Sequence, residues 1–213
     1  MTAGVLRRLG GAATDAGYLL LARLPSLRAL YRRWAVRRYR DLAPRYMAAV
    51  HDDPAYFAAL AALLPGLAAG AAPLIVEVGA GTGAATRLLV RRFQDAVVVA
   101  IDVSPPMLAG LQIGGARRLY RIAGDAFALP LRDRIGDLVL VHNAPFDWAE
   151  LARVAAPAGA VAILLSSAGA LPPRLLRWGV APALRAVGWR RVRELRAGRG
   201  VAWVFCREEV SAR

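Results

Sequence analysis

Short apolar runs alternate along the chain with segments whose apolar residues recur every three or four positions. Leu74, Ile75, Val76 and Val78 form the clearest run, with the β-rich pattern of a buried parallel strand. With that strand placed at 73–78, similar runs predict strands at 97–102, 119–123, 137–142, 159–165, 189–195 and 201–207. Helical spacing predicts helices at 83–93, 105–112, 147–156 and 173–187, with a weak turn near 126–129. Strand and helix in alternation imply an α/β chain with a doubly wound, mostly parallel seven-stranded sheet. The last two strands are joined by Arg196-Ala197-Gly198-Arg199-Gly200, a hairpin that adds an antiparallel strand at the C-terminal end. Asp147, with Glu150 three residues on, reads as an acidic helix cap with a glutamate partner.

The first third has a different pattern. Residues 1–17 show little periodicity and read as a loose leader. From Tyr18 to Met47, Leu20, Leu24, Leu27, Tyr31 and Trp34 recur at helical steps with arginines between them. Pro25 is expected to divide this stretch into two helices, since a proline in a helix interior removes a hydrogen bond. Asp53-Pro54 opens another helix, an acidic cap with proline in the first turn, which ends near Pro65-Gly66. The expected organisation is an N-terminal helical extension or cap over 1–65 and a core over 66–213. Two uncharged stretches, 54–76 and 154–173, approach the length of a membrane span. Internal prolines and glycines parse each instead as helix, loop and strand. No secretory signal is read, because no uninterrupted apolar core and cleavage site follow the first arginines.

The candidate chemistry begins where the strand at 73–78 ends. Gly79-Ala80-Gly81-Thr82-Gly83 makes a tight turn before Ala84 resumes helical spacing. Glycines there let a ligand approach the main chain, and the new helix points unpaired N–H groups at it. Gly79, Gly81 and Ala84 satisfy the dinucleotide fingerprint, with Asp102 near the position of its ribose-binding acid. Three further features favour a different cofactor. Glu77 precedes the glycines to give E-x-G-x-G-x-G; Asp102 leads into Val103-Ser104-Pro105-Pro106-Met107-Leu108; and Gly124-Asp125-Ala126 is followed by Leu129-Pro130. Together these resemble the successive motifs of class I S-adenosylmethionine-dependent methyltransferases, closest to those acting on quinone precursors, lipids and other small molecules. The resemblance implies a Rossmann-like fold and S-adenosyl-L-methionine as cofactor.

The resemblance also implies roles. Gly79, Ala80, Gly81 and Gly83 would hold the methionine moiety, with Glu77 ordering the loop. Asp102 would accept from the ribose hydroxyls, Val103 and Met107 would pack on adenine, and Asp125 would accept from its amine beside Ala126 and Phe127. Asp125 also reads as a plain turn cap. Tyr39-Arg40-Asp41-Leu42-Ala43-Pro44-Arg45-Tyr46 resembles the segment that precedes the core in many small-molecule members, with Asp41 one residue late. After the fourth strand, Asn143-Ala144-Pro145-Phe146 differs by one residue from the N-P-P-F/Y motif of amino-methylating enzymes. A plain turn capped by Asn143 is the simpler explanation and the one preferred. The catalytic candidates are His142, Asn143 and Tyr46. His142 could serve as a general base or merely touch the cofactor, whereas His51 reads as a solvated loop residue.

Composition changes this picture at the flanks only. All 29 basic residues are arginine, against 15 acids, for a formal net charge of +14. Residues 1–45 carry ten arginines against Asp15 and Asp41, a net +8, while charges between 74 and 165 nearly cancel. Cys206 is the only cysteine, which excludes an internal disulfide and a cysteine-built metal site. It is expected to be a buried small hydrophobe, and no metal-ligand spacing appears. The reading is a cytoplasmic methyltransferase that acts on an O, N or C nucleophile of a small, lipophilic molecule. Two alternatives stand beside it. One is a nucleic-acid or protein amino-methyltransferase, which the absence of a recognition domain opposes. The other is a degenerate core that binds a membrane surface through residues 18–47.

Overall fold

The computed structural model describes residues 14, 16–22, 24–50, 53–67, 73–167 and 188–207. The expected helix at 173–187, His51 and the leader up to residue 13 lie outside the described residues. Seven strands form one sheet: β1 Leu74–Val78, β2 Val97–Asp102, β3 Leu119–Ala123, β4 Gly136–His142, β5 Ala155–Leu165, β6 Trp189–Ala197 and β7 Gly200–Arg207. Their order is β3-β2-β1-β4-β5-β7-β6. The first five are parallel, and β7 pairs antiparallel with both β5 and β6. The chain thus runs outward from β1 in one direction and then returns to start the other half beside it. That reversal leaves a crevice at the carboxyl ends of β1 and β4, where open α/β sheets bind ligands.

Side-chain alternation along the strands builds a core on each face of the sheet. Ile75, Val98, Leu138, Leu140, Leu164 and Val204 point to one face. Helices α2 (Pro54–Leu63) and α3 (Ala84–Arg92) cover it with Leu60, Leu63 and Leu89. Val76, Val78, Ile101, Val139, Ile163 and Phe205 point to the other. There they meet Leu19 of a helical segment at 16–22 and Leu151 of α5 (Trp148–Val154). Packing therefore places α2 with the sheet, although it falls inside the N-terminal extension expected over 1–65. The segment that remains beside the sheet's carboxyl edge is 16–50.

Pro25 divides that segment as expected: a 3-10 turn, Pro25–Leu27, leads into α1, Arg28–Val50. The long helix continues through Pro44, whose missing N–H costs one hydrogen bond to the preceding turn. α1 packs against the short helix α4, Pro105–Gly110. Asp53 caps α2 by accepting from the Tyr56 N–H at 3.2 Å. Cys206 is half-buried in β7 rather than fully enclosed, and burial pushes its thiol pKa up. β5 begins four residues before its expected start. The pairing slips between Gly136 and Leu138, so Ala155 opposes Gly136 and Ala160 opposes Leu138.

The capping glutamate expected at Glu150 does something else. Asp147 caps α5 through the Ala149 N–H at 2.7 Å. Glu150 accepts instead from the Leu129 N–H at 2.7 Å and from Arg153. Arg153 also donates to Asp133 and to the carbonyls of Leu129 and Leu131. One guanidinium thus ties the 129–134 connection, and with it the turn carrying Asp125, to α5. Hydrogen bonds to charged groups are worth about 1.5–3 kcal/mol each when a partner is removed. Arg153→Ala is expected to lower unfolding free energy by about 1.5–3 kcal/mol in chemical denaturation. A loss within error of zero would show that the clamp contributes nothing.

Candidate active site

The turn after β1 is built around two backbone demands. Gly79 and Gly83 take φ of +79° and +86°, which residues with a Cβ adopt only under strain. A Cβ on Gly79 would also collide with the Cβ of Ala144, so the glycine lets the loop after β4 close onto the loop after β1. The Gly79 and Ala80 N–H groups donate to the Ile101 carbonyl at 2.8 and 3.0 Å. Gly83 precedes α3 and packs beside Leu111, away from the crevice.

Asp102 ends β2 and joins two loops. One carboxylate oxygen accepts from the Gly81 N–H at 2.9 Å and the other from the Ser104 N–H at 2.8 Å. A carboxylate can accept about four hydrogen bonds, so each oxygen keeps a lone pair for a ligand. Burial pushes the Asp102 carboxyl pKa up, and those two N–H groups oppose the shift. Asp125 sits in the next loop. Its Oδ1 accepts from the Phe127 N–H at 2.9 Å, and its Oδ2 accepts from Arg32 of α1 at 3.0 Å. The capping role read for Asp125 is thus present alongside an ion pair that the sequence did not reveal.

These loops enclose a cavity of about 810 Å³, counting its open mouth. Gly79, Ala80, Gly81, Asp102, Val103, Met107, Asp125, Ala126, Phe127, His142 and Asn143 all line it. Two residues of the E-x-G-x-G-x-G motif do not. Gly83 stands behind the loop. Glu77, fully buried, turns toward α3, where the Thr86 hydroxyl donates to its Oε2 at 2.6 Å. Burial raises the Glu77 carboxyl pKa to about 8, against the opposing pull of Thr86.

The opposite wall is aromatic. Five of the chain's six tyrosines, Tyr18, Tyr31, Tyr39, Tyr46 and Tyr56, line the cavity. The Tyr18 and Tyr39 hydroxyls pair at 2.8 Å, and those of Tyr46 and Tyr56 approach to 3.4 Å. Burial pushes the pKa of Tyr18, Tyr31, Tyr39 and Tyr46 up, so all four are protonated near neutral pH. Tyr46 alone among the five was a catalytic candidate from sequence. The signal for Tyr31 and Tyr39 was their helical spacing to it, whereas Tyr56 carries no motif and was missed.

Asn143 and His142 form the floor beside Tyr56. Asn143 holds a positive φ of 50°, and its side-chain oxygen accepts from the Ser166 N–H at 2.7 Å. Its amide nitrogen donates to the Tyr56 hydroxyl at 2.5 Å and approaches His142 Nε2 at 3.2 Å. Both ends of the amide thus hold partners within the protein, and its oxygen, like those of Asp102, keeps a second lone pair. His142 Nε2 faces the Ser166 hydroxyl at 2.8 Å, and burial lowers its pKa to about 4. The imidazole is neutral at physiological pH. Among the described residues no group of His, Cys, Asp and Glu could hold a metal ion.

A crevice at the β1–β4 reversal, floored by glycines and carrying acids after β2 and β3, defines a nucleoside-type cofactor site in a doubly wound sheet. Residues 75–169 match the methyltransferase domain family. The chain carries a class I S-adenosylmethionine-dependent methyltransferase domain. It is 30% identical over 164 residues to the malonyl-[acyl-carrier protein] O-methyltransferase of Marinomonas sp. (strain MWYL1), covering 72% of this chain and 60% of that protein. The protein of the same description from Halorhodospira halophila is 40% identical over 97 residues, 41% of this chain and 32% of that protein. The chain therefore spans between a third and three fifths of these relatives' lengths. Among solved structures, a SAM-dependent methyltransferase from Aquifex aeolicus superposes with a TM-score of 0.58 at 21% identity. That superposition covers 72% of this chain and 93% of the other, and it shows a shared fold.

Glu77 and His142 set opposite pH limits on stability. Unfolded, Glu77 titrates near 4.3, roughly, and His142 near 6.5, roughly. Glu77 is protonated in the native state up to about 8, so the stability it contributes below its unfolded pKa is lost as pH rises through 8. His142 contributes stability above about 6.5 that is lost as pH falls toward 4. Glu77→Gln keeps an acceptor for Thr86 and removes the titration. Its Tm is expected to fall less between pH 6 and 9 than that of the wild type. Parallel Tm curves would show that Glu77 is already ionised in the native protein.

Proposed function

We propose that the protein transfers a methyl group from S-adenosylmethionine to an oxygen of a small, lipophilic acid. The observation that carries this reading is the single cavity in which the glycine loop, Asp102 and Asp125 face Asn143, His142 and the tyrosine wall. Small residues at 79–81 let the methionine end of the cofactor approach the main chain closely, although the three N–H groups there are already bonded to Ile101 and Asp102. The spare lone pairs of Asp102 suit the ribose hydroxyls, and Val103, Met107 and Ala126 offer an apolar bed for adenine. Asp125 would accept from the adenine amine once Arg32 yields that oxygen. Bound there, S-adenosylmethionine supplies a methyl group on a sulfonium that is already activated toward a nucleophile.

The groups lining the cavity favour an acceptor that arrives ionised. His142 holds its proton too weakly, with a pKa near 4, to act as an efficient base at neutral pH. The buried tyrosines stay protonated and can donate to an anion or carbonyl. A carboxylate needs no base and accepts such hydrogen bonds. The relatives named for O-methylation of malonyl-[acyl-carrier protein] support an oxygen acceptor. Positioning then carries the catalysis, through the wall contributed by α1 and the segment at 16–22.

Asp102→Ala is expected to weaken binding of S-adenosylhomocysteine by about 1.5–3 kcal/mol, roughly 10- to 150-fold, and to loosen the turn after β1, whose Gly81 N–H loses its acceptor, while the sheet stays folded. Unchanged affinity would remove Asp102 from the cofactor site. Incubation with methyl-labelled cofactor and a panel of carboxylic half-acids, phenols, quinols and amines tests the acceptor. The expected product is a base-labile ester, formed at a rate that is flat from about pH 6 to 9 because carboxylic acids ionise near pH 4, roughly. Label confined to phenols or amines, with a rate that climbs with pH, would contradict the carboxylate reading.

A further inference from the structure

Helix α1 has two faces, and only one is used by the cavity. At 100° per residue, roughly, Tyr31, Ala35, Tyr39 and Tyr46 fall on one side with Arg28 and Arg32. These turn inward: the tyrosines line the cavity, Arg28 pairs with Asp147, and Arg32 pairs with Asp125. The opposite side carries Leu30, Arg33, Trp34, Arg37 and Arg38, all exposed. Leu30 is 70% exposed and Trp34 50%, high values for side chains of that size. Just before the helix, Leu20, Leu24 and Leu27 are exposed as well. Among the described residues, Tyr120 is the only large apolar side chain left in solvent outside the stretch 20–34.

We propose that this outer face is a docking surface for an anionic lipid bilayer, an inference independent of the methyl-transfer reading. Leucine and tryptophan interleaved with arginine is the composition of a helix that lies in the bilayer interface, apolar side chains inserted and cations at the headgroups. Charge supports the same partner. No ion-pair partner holds Arg33, Arg37 or Arg38 among the described residues, and Asp41 is the one acid on that face. The N-terminal 45 residues carry a net +8. Shape separates a bilayer from an acidic protein. The exposed apolar and basic side chains lie in a stripe along one helix and the turn before it, whereas a specific protein interface needs roughly 1,000 Å² of complementary surface. No described helix is long and apolar enough to cross a membrane, so contact would be peripheral. The same helix carries the tyrosine wall on its inner side, so docking would hold that wall one helix diameter, about 10 Å, from the lipid surface.

Sedimentation of the full chain with vesicles tests this. Vesicles of phosphatidylglycerol and phosphatidylcholine are expected to carry the protein down at low salt, and binding should weaken as NaCl rises. Vesicles of phosphatidylcholine alone should bind it at least about tenfold more weakly. Arg33→Gln/Arg37→Gln/Arg38→Gln should lose about tenfold or more of the anionic binding, and Leu30→Ser/Trp34→Ser a comparable amount. Thermal unfolding of the arginine variant should match the wild type, whereas Leu30→Ser/Trp34→Ser loses the ring contacts of Trp34 with Tyr31 and Tyr39 and is expected to melt somewhat lower while staying folded. The proposal is overturned if the protein stays in solution with anionic vesicles at low salt. It is equally overturned if the arginine variant binds them as the wild type does. Capture of a soluble acidic polypeptide through the same arginines, without vesicle binding, would assign the face to an acidic protein instead.

Discussion

The Asp102 carboxylate joins the two loops on which the site depends. By taking the Gly81 and Ser104 N–H groups, it fixes the turn after β1 against the start of α4. That contact is only available because β1 and β2 run parallel in register, Val78 beside Ile101, so both strands end at the same level. The Ile101 carbonyl adds two more bonds, from the Gly79 and Ala80 N–H groups. A side chain at Gly79 would push the turn away from Ala144 and open the crevice. Loop order, sheet register and the absence of one Cβ are therefore a single constraint, and the cavity is its consequence.

β1, β2, β4, β5 and β7 were legible in the sequence because each carries a short apolar run bounded by turn residues, whereas the charged β6 was legible through the glycine turn that joins it to β7. The hairpin at 197–200 and the break at Pro25 follow from glycine and proline geometry in the same local way. What stayed hidden depends on long-range contact. Tyr56 carries no motif and reaches the floor only because α2 packs across the ends of the strands, placing its hydroxyl on Asn143. Glu77 belongs to the motif but points at Thr86, nine residues on, because its position in β1 faces α3 rather than the crevice. Glu150 has the spacing of a capping partner, yet Arg153 and the Leu129 N–H offer it a better arrangement.

Burial gives the cavity its chemical character. The same desolvation that keeps His142 neutral keeps Tyr18, Tyr31, Tyr39 and Tyr46 protonated. The wall can donate hydrogen bonds but cannot remove a proton with ease. It is held in place by two ion pairs, Arg28 with Asp147 and Arg32 with Asp125, whose acids both sit in loops of the sheet half. Arg32 is more than half exposed, so its pair is the weaker and the readier to exchange partners. With one of its two latches exposed, the aromatic wall can move at that end to admit ligands without disturbing the strands beneath it.

Calorimetric titration of the wild-type chain with S-adenosylhomocysteine and, side by side, with NADH tests the central assignment most directly. The glycine loop alone is compatible with either ligand, and the acids at 102 and 125 with the small residues around them favour the first. Saturable binding of S-adenosylhomocysteine at one site per chain, with no heat from NADH, is the expected result. Tight binding of NADH with no response to S-adenosylhomocysteine would contradict the account.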